Sequence, residues 1–152
     1  MRANWSIEKL TQSIMKKAFL ILLILSVIEI KAQTSADPVS VTKKIFEAFN
    51  AHNWNRMLSY YHEQAEFKDP AYPQPVRNLA LIRQHHEELH AWFPDIYDDV
   101  QAIYPSGQNV IVEFISRGTS SDGQKFELPI CTVLTFKDGK VIRDATYYDV
   151  TH

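Results

Sequence analysis

Three groups of residues have the types and spacing to do chemistry. Glu66-Phe67-Lys68-Asp69-Pro70 reads as a short strand that ends in an acid and a proline. Alternation at period two puts Ala65, Phe67 and Asp69 on one face and Glu66 and Lys68 on the other. The carboxylate of Asp69 then lies on the side expected to be buried, where Pro70 takes the chain out of the sheet. Loss of hydration there disfavours the charged form, which suits a general base. Asp69 could equally cap the turn before Pro70, because Asp favours turns through local hydrogen bonds.

The second group is His86-Glu87-Glu88-Leu89-His90, which has the His-Glu-x-x-His spacing of zinc metallopeptidases. On a helix the two histidines stand one turn apart and could hold one metal, with Glu87 activating water. No downstream Gly-x-x-His supplies a third ligand, so Glu113 would have to serve from a strand. His86 is better read as a polar residue on the inner stripe of the helix, lining a pocket or satisfied in the core. Neither a metal nor any other cofactor is expected.

The third group lies in the strands. Glu113 shares a face with Ile111 and Ile115 while Val110, Val112 and Phe114 take the other, the pattern of a central strand. Glu113 is therefore expected to be partly buried, in an ion pair or at the pocket. Tyr147-Tyr148 puts one phenol on each face of the last strand, one toward the pocket and one outward, with the order open. Tyr60, Trp92 and Phe93, together with Trp54, are expected to wall the core and pocket. Cys131, the sole cysteine, reads as an inert core thiol. No Gly-rich phosphate loop, nucleotide fingerprint or Ser-His-Asp arrangement is present in the sequence.

These residues need elements to position them. Asp37-Pro38 opens an amphipathic helix to about Ala51, with Val41, Ile45, Ala48 and Phe49 at helical spacing. Asn53 caps a shorter one whose stripe is Trp54, Met57, Leu58 and Tyr61. After the Asp69 strand and the prolines 70, 73 and 75, a third helix runs from about Asn78 to Trp92. Strands are then expected over Ile96–Tyr104, Asn109–Thr119, Lys125–Phe136 and Lys140–Val150, separated by the turns Ser106-Gly107, Ser121-Asp122-Gly123 and Asp138-Gly139. Helices first and an antiparallel meander after them make an α+β fold with helices on one face of a curved sheet.

Ahead of this domain, Met15-Lys16-Lys17, an apolar run over Ala18 to Ile28 and Lys31-Ala32-Gln33 have the order of a signal peptide, cut after Ala32. A retained membrane anchor is the alternative, although the apolar run is short of the roughly 20 residues a spanning helix needs. Translation is expected to start at Met15, leaving Met1 to Ile14 as an upstream extension. Residues 33–152 then form one domain, exported to the periplasm or beyond and not inserted in the membrane. The leader carries five Lys/Arg and two Asp/Glu, so the domain keeps 11 basic against 16 acidic residues, a formal charge of −5. That balance argues against nucleic acid as a partner.

From Val39 to Val150 the chain resembles the SnoaL-like and ketosteroid-isomerase-like members of the nuclear transport factor 2-like superfamily. The residues that carry the resemblance are Phe49-Asn50-Ala51-His52-Asn53-Trp54, Glu66-Phe67-Lys68-Asp69-Pro70, Phe93-Pro94-Asp95, Asp138-Gly139-Lys140-Val141-Ile142 and Tyr147-Tyr148-Asp149. It implies a cone in which three helices and a curved sheet enclose one deep, mostly apolar pocket for a small apolar molecule. It also implies a homodimer through the outer sheet face. Asp69 matches the proton-shuttling aspartate of the ketosteroid isomerases, but both of their oxyanion donors are missing or replaced: Ile45 stands at one position, and at the other Pro129-Ile130 is followed by Cys131 and Thr132. Such donors contribute several kcal/mol, so the resemblance implies a base without the rest of a steroid isomerase. In SnoaL-like cyclases the acid/base carboxylate lies on the final strand, where Asp144 and Asp149 stand, with Thr146 competing for the position.

Overall fold

The computed structural model describes residues 36–149. Helix α1, Pro38–Asn50, starts where the Asp37 carboxylate accepts from the Ser40 amide at 3.0 Å and Pro38 has no amide to leave unpaired. Asn53 caps α2, Trp54–Leu58, by accepting from the Arg56 amide. This helix is shorter than its apolar stripe predicts: Tyr61 is not on it but opens strand β1, Tyr61–Lys68. Asn78 caps α3, Leu79–Trp92, by accepting from the amides of Ala80 and Leu81.

Strands β2 (Tyr97–Ser106), β3 (Asn109–Thr119), β4 (Lys125–Lys137) and β5 (Lys140–Tyr147) form the antiparallel meander, and β1 joins it parallel to β5. The order across the five-stranded sheet is β1-β5-β4-β3-β2, so β1 and β2 are its two edges. Asp138 (φ 51°) and Gly139 (φ 76°) both take left-handed backbone between β4 and β5, as a two-residue hairpin turn requires. Register shifts at Val100/Ala102, Thr135/Phe136 and Tyr61/Glu66 add local twist, which helps the sheet curl. The last strand was expected to reach Val150, but it ends at Tyr147, leaving Tyr148 and Asp149 beyond it. The expected leader over residues 15–32 and the upstream residues 1–14 lie outside the described residues. No helix among the described residues is long and apolar enough to cross a membrane.

The core lies between the helices and the concave face. Ile45, Phe46 and Phe49 of α1 pack on Val110, Val112 and Phe114 of β3 and on Leu134 and Phe136 of β4. Phe46 meets Phe114 edge to face, with centroids 5.0 Å apart. On the opposite, convex face no helix among the described residues covers the strands. That corrects two expectations. Glu113 is exposed rather than partly buried, and its carboxylate meets only the Tyr104 hydroxyl at 3.4 Å. Cys131 lies across from Glu113 and Tyr147 on this outer face, half-buried, and is not a core thiol.

Candidate active site

Between α1, α3 and the concave face lies a cavity of about 290 Å³. Its wall is mostly apolar, and three carboxylates enter it, those of Asp69, Asp98 and Asp144. Each comes from a different part of the sheet, so each has its own surroundings.

Asp69 follows the end of β1, where it caps the turn and lines the cavity. Its Oδ1 accepts from the Ala71 amide at 2.7 Å, which is the turn cap, and from the Tyr148 hydroxyl at 2.8 Å across the cavity. Among the described residues Oδ2 receives no hydrogen bond, so one oxygen is held and the other is available. Burial, then the hydrogen bond to Asp69, raise the Tyr148 phenol, which stays a donor. Tyr148 is thus the inward phenol of the pair, and Tyr147 faces out, 45% exposed, with the Lys68 ammonium over its ring.

Asp144 lies inward on β5 because it pairs with Leu134, an inward residue of β4. Both its oxygens are engaged. Oδ2 accepts from the Tyr61 hydroxyl at 2.8 Å, and Oδ1 from Thr132 at 2.6 Å and Thr146 at 3.2 Å. Burial raises its pKa above the ordinary carboxylate value and the charge of Asp69 adds to the rise, while the three hydroxyls oppose it. Asp144 and Thr146 therefore do not compete for one position; alternation brings both to the cavity, and they bond to each other.

Asp98 is the residue the sequence reading passed over. It is 7% exposed, its Oδ1 has no partner, and burial pushes its carboxyl up to about 7 against the opposing effect of Ser116. The signal was available: Ile96, Asp98 and Val100 alternate as Ala65, Phe67 and Asp69 do.

His86 stands on the inner stripe of α3 and lines the cavity. Its Nδ1–H donates to the Ile82 carbonyl at 2.7 Å, and burial lowers its pKa to about 4, so the ring is neutral at physiological pH. His90 instead stacks on His52, with centroids 3.9 Å apart, and Glu87 is exposed. Among the described residues no cluster of three His, Cys, Asp or Glu side chains converges as a metal site would need.

The other expected site residues fall elsewhere. Phe67 lines the cavity, stacked on Tyr61 at 4.9 Å. Tyr60 and Phe93 pack against the core but are not part of the cavity wall, Phe93 lying edge-on to Phe126. Trp92 is 64% exposed, because the last turn of α3 overhangs the edge of the core. Asp149 is exposed beyond the end of β5, at the outward parity opposite to Asp144, Thr146 and Tyr148. Trp92, Glu113 and Asp149 are therefore corrected out of the site, and Ile45 lines the cavity where the resemblance implied a tyrosine.

The SnoaL-like domain family matches residues 42–144, most of the domain, with β1 to β4 whole and β5 as far as Asp144. The chain belongs to the SnoaL-like domain family. Solved structures agree on the fold. A candidate polyketide cyclase from Xanthomonas campestris superposes with a TM-score of 0.66 at 20% identity, covering 73% of this chain and 89% of that one. A Catenulispora acidiphila protein with a ketosteroid isomerase-like fold, in complex with trimethylamine, gives 0.66 at 17% identity, over 72% and 85%. A nuclear transport factor 2-like protein from an Exiguobacterium species gives 0.64 at 19%, over 73% and 99%. At these identities the shared property is the fold. No curated protein sequence matches the chain. This SnoaL-like domain thus has the nuclear transport factor 2-like architecture, with helices packed on an open, curled α+β sheet.

Proposed function

We propose that this SnoaL-like domain binds a small, mostly apolar carbonyl compound and isomerises or cyclises it by proton transfer, with Asp69 as the base. The observation that carries the reading is the half-held Asp69 carboxylate. Tyr148 and Ala71 fix Oδ1 while Oδ2 stays unbonded inside an apolar cavity. A positioned base of this kind takes a proton from the carbon beside the carbonyl and returns it to another atom of the same molecule. Asp144, fully hydrogen-bonded by Tyr61, Thr132 and Thr146, holds the neighbouring wall and is a second candidate for proton exchange. The cyclase description of the Xanthomonas relative fits this chemistry.

A second reading, a pocket that binds without turnover, is favoured by Ile45, which lines the cavity where the resemblance placed an oxyanion donor. Hydrogen–deuterium exchange at the α-carbon of 2-tetralone, followed by NMR, separates the two. Proton transfer by a positioned group contributes about 10²–10⁴-fold. Exchange catalysed by the wild type and reduced to that extent in Asp69→Asn supports the enzyme; exchange equal in both proteins rejects Asp69 as the base.

The domain is also proposed to be exported after cleavage behind Ala32. Protein from the cell envelope should then begin at Gln33, and a product retaining Met1 would overturn this. A homodimer through the convex sheet face completes the proposal.

A further inference from the structure

Two buried side-chain polar atoms have no hydrogen-bond partner among the described residues, Tyr72 Oη and Asp98 Oδ1. Both residues line the cavity. They stand far apart in the sheet. Tyr72 follows Asp69 after edge strand β1, while Asp98 lies on β2, the opposite edge, with three strands between. The curl of the sheet brings the two edges to one cavity. Buried groups without partners are rare and cost about 1–3 kcal/mol each, so a pair of them in one cavity indicates what is to fill it.

The Asp98 end is built rather than loose. The Asn50 side chain at the end of α1 accepts from the Asp98 amide at 2.8 Å and donates to its carbonyl at 3.0 Å. Ser116, its cross-strand partner, flanks the carboxyl from β3. The backbone is clamped from one side and the side chain is confined from the other, so Oδ1 cannot turn away to solvent. Between the two ends the wall is mostly apolar, with Phe46, Phe49, Phe114 and Ile130, and its polar residues Thr132, Asp144 and Thr146 are hydrogen-bonded to one another.

We propose that the cavity takes an apolar molecule with a hydrogen-bonding oxygen at each end, one accepting from the Asp98 carboxyl and the other meeting the Tyr72 hydroxyl. The donor at the first end is the neutral acid. Burial holds the Asp98 proton to about pH 7, and a carboxylic acid that keeps its proton offers an O–H to a carbonyl or hydroxyl oxygen. Tyr72 is likewise kept a phenol, burial first and then the charge of Asp69 raising it. A ligand bound in this way lies along the line between the two sheet edges, with one end beside Asp69. The inference rests on the cavity being the ligand site and not on turnover.

The test compares affinities at pH 6 for 6-hydroxy-2-tetralone, 2-tetralone and tetralin, which share one bicyclic body and carry two, one and no oxygens. The wild type should bind them in that order, with about tenfold per oxygen, the size of one satisfied hydrogen bond. Tyr72→Phe and Asp98→Val should each remove about tenfold from 6-hydroxy-2-tetralone and leave tetralin unchanged. Asp98→Asn, which keeps a donor at that end and covers the case in which the valine variant does not fold, should retain the oxygen dependence. Equal affinity for the three compounds, binding of none, or an oxygen dependence unaffected by Tyr72→Phe overturns the proposal. The same titrations on Asp69→Asn protein separate this from the proposed reaction, since loss of exchange with oxygen-dependent binding intact removes the base and leaves the two-ended pocket.

Discussion

Asp98 and His86 line one cavity and respond to pH in opposite directions. Asp98 is raised from its ordinary 3.8 to about 7, so the stability it contributes is present below pH 3.8 and is lost as pH rises through 7. His86 is lowered from 6.5 to about 4, so its contribution is present above pH 6.5 and is lost as pH falls through 4. At about 1.4 kcal/mol per pH unit, the slope spans up to roughly 4 kcal/mol for Asp98 and roughly 3 kcal/mol for His86. Removing one group exposes the other. Relative to wild type, Asp98→Asn should gain stability steadily as pH rises from 4 to 7, and His86→Gln should gain it as pH falls from 6.5 to 4. Urea unfolding across that range reads both differences. A constant offset between Asp98→Asn and wild type would mean that the Asp98 carboxyl titrates alike in the folded and unfolded chain.

Among the elements, β2 is held by a side chain from outside the sheet. It is an edge strand, so one row of its backbone groups has no neighbouring strand. At Asp98 the Asn50 side chain takes both the amide and the carbonyl of that open row. The end of α1 is thereby tied to the start of β2, and the carboxyl of Asp98 is aimed as a consequence. Asn50→Ala leaves two partly buried backbone groups unpaired, and the expected cost is about 1–3 kcal/mol. Asn50→Asp keeps an acceptor for the amide but loses the donor to the carbonyl, so its cost should be smaller. Equal stability of all three proteins in a denaturant melt would show that water replaces the amide without penalty.

For the molecule as a whole, the convex face is the surface with most left to bury. Ile111, Ile115 and Val133 lie half-buried at its centre, with Tyr104 and Tyr147 exposed around them. Ion pairs flank this patch, Arg117 with Asp99 and Glu127 on one side and Glu66 with Arg77 and Arg143 on the other. An apolar centre with a charged rim is the composition of a protein–protein interface. Sedimentation should find a dimer, and Ile115→Lys should give a folded monomer because the ammonium cannot be buried without a partner. A wild-type monomer at micromolar concentration would reject the pairing.

The sequence by itself determined the local structure. Helix caps at Asp37, Asn53 and Asn78, glycine turns and period-two alternation depend on near neighbours, and each was readable from the residues that form it. The inward placement of Asp69 and Phe67 followed from the same local rule. Tertiary structure decided which inward residues share a cavity and which faces are covered. Glu113 looked buried because its strand is apolar on both sides, yet among the described residues that strand has a helix on one face alone. Trp92 sits just past the point where the core stops, and no local pattern marks that limit, whereas Asp149, five residues from Asp144, has the outward parity that alternation already assigns. Tyr61 joined Asp144 from 83 positions away, and Asp98 came to face the same cavity as Tyr72 from the far edge of the sheet. Those meetings depend on how far the sheet curls, which is set by strand order, bulges and packing together.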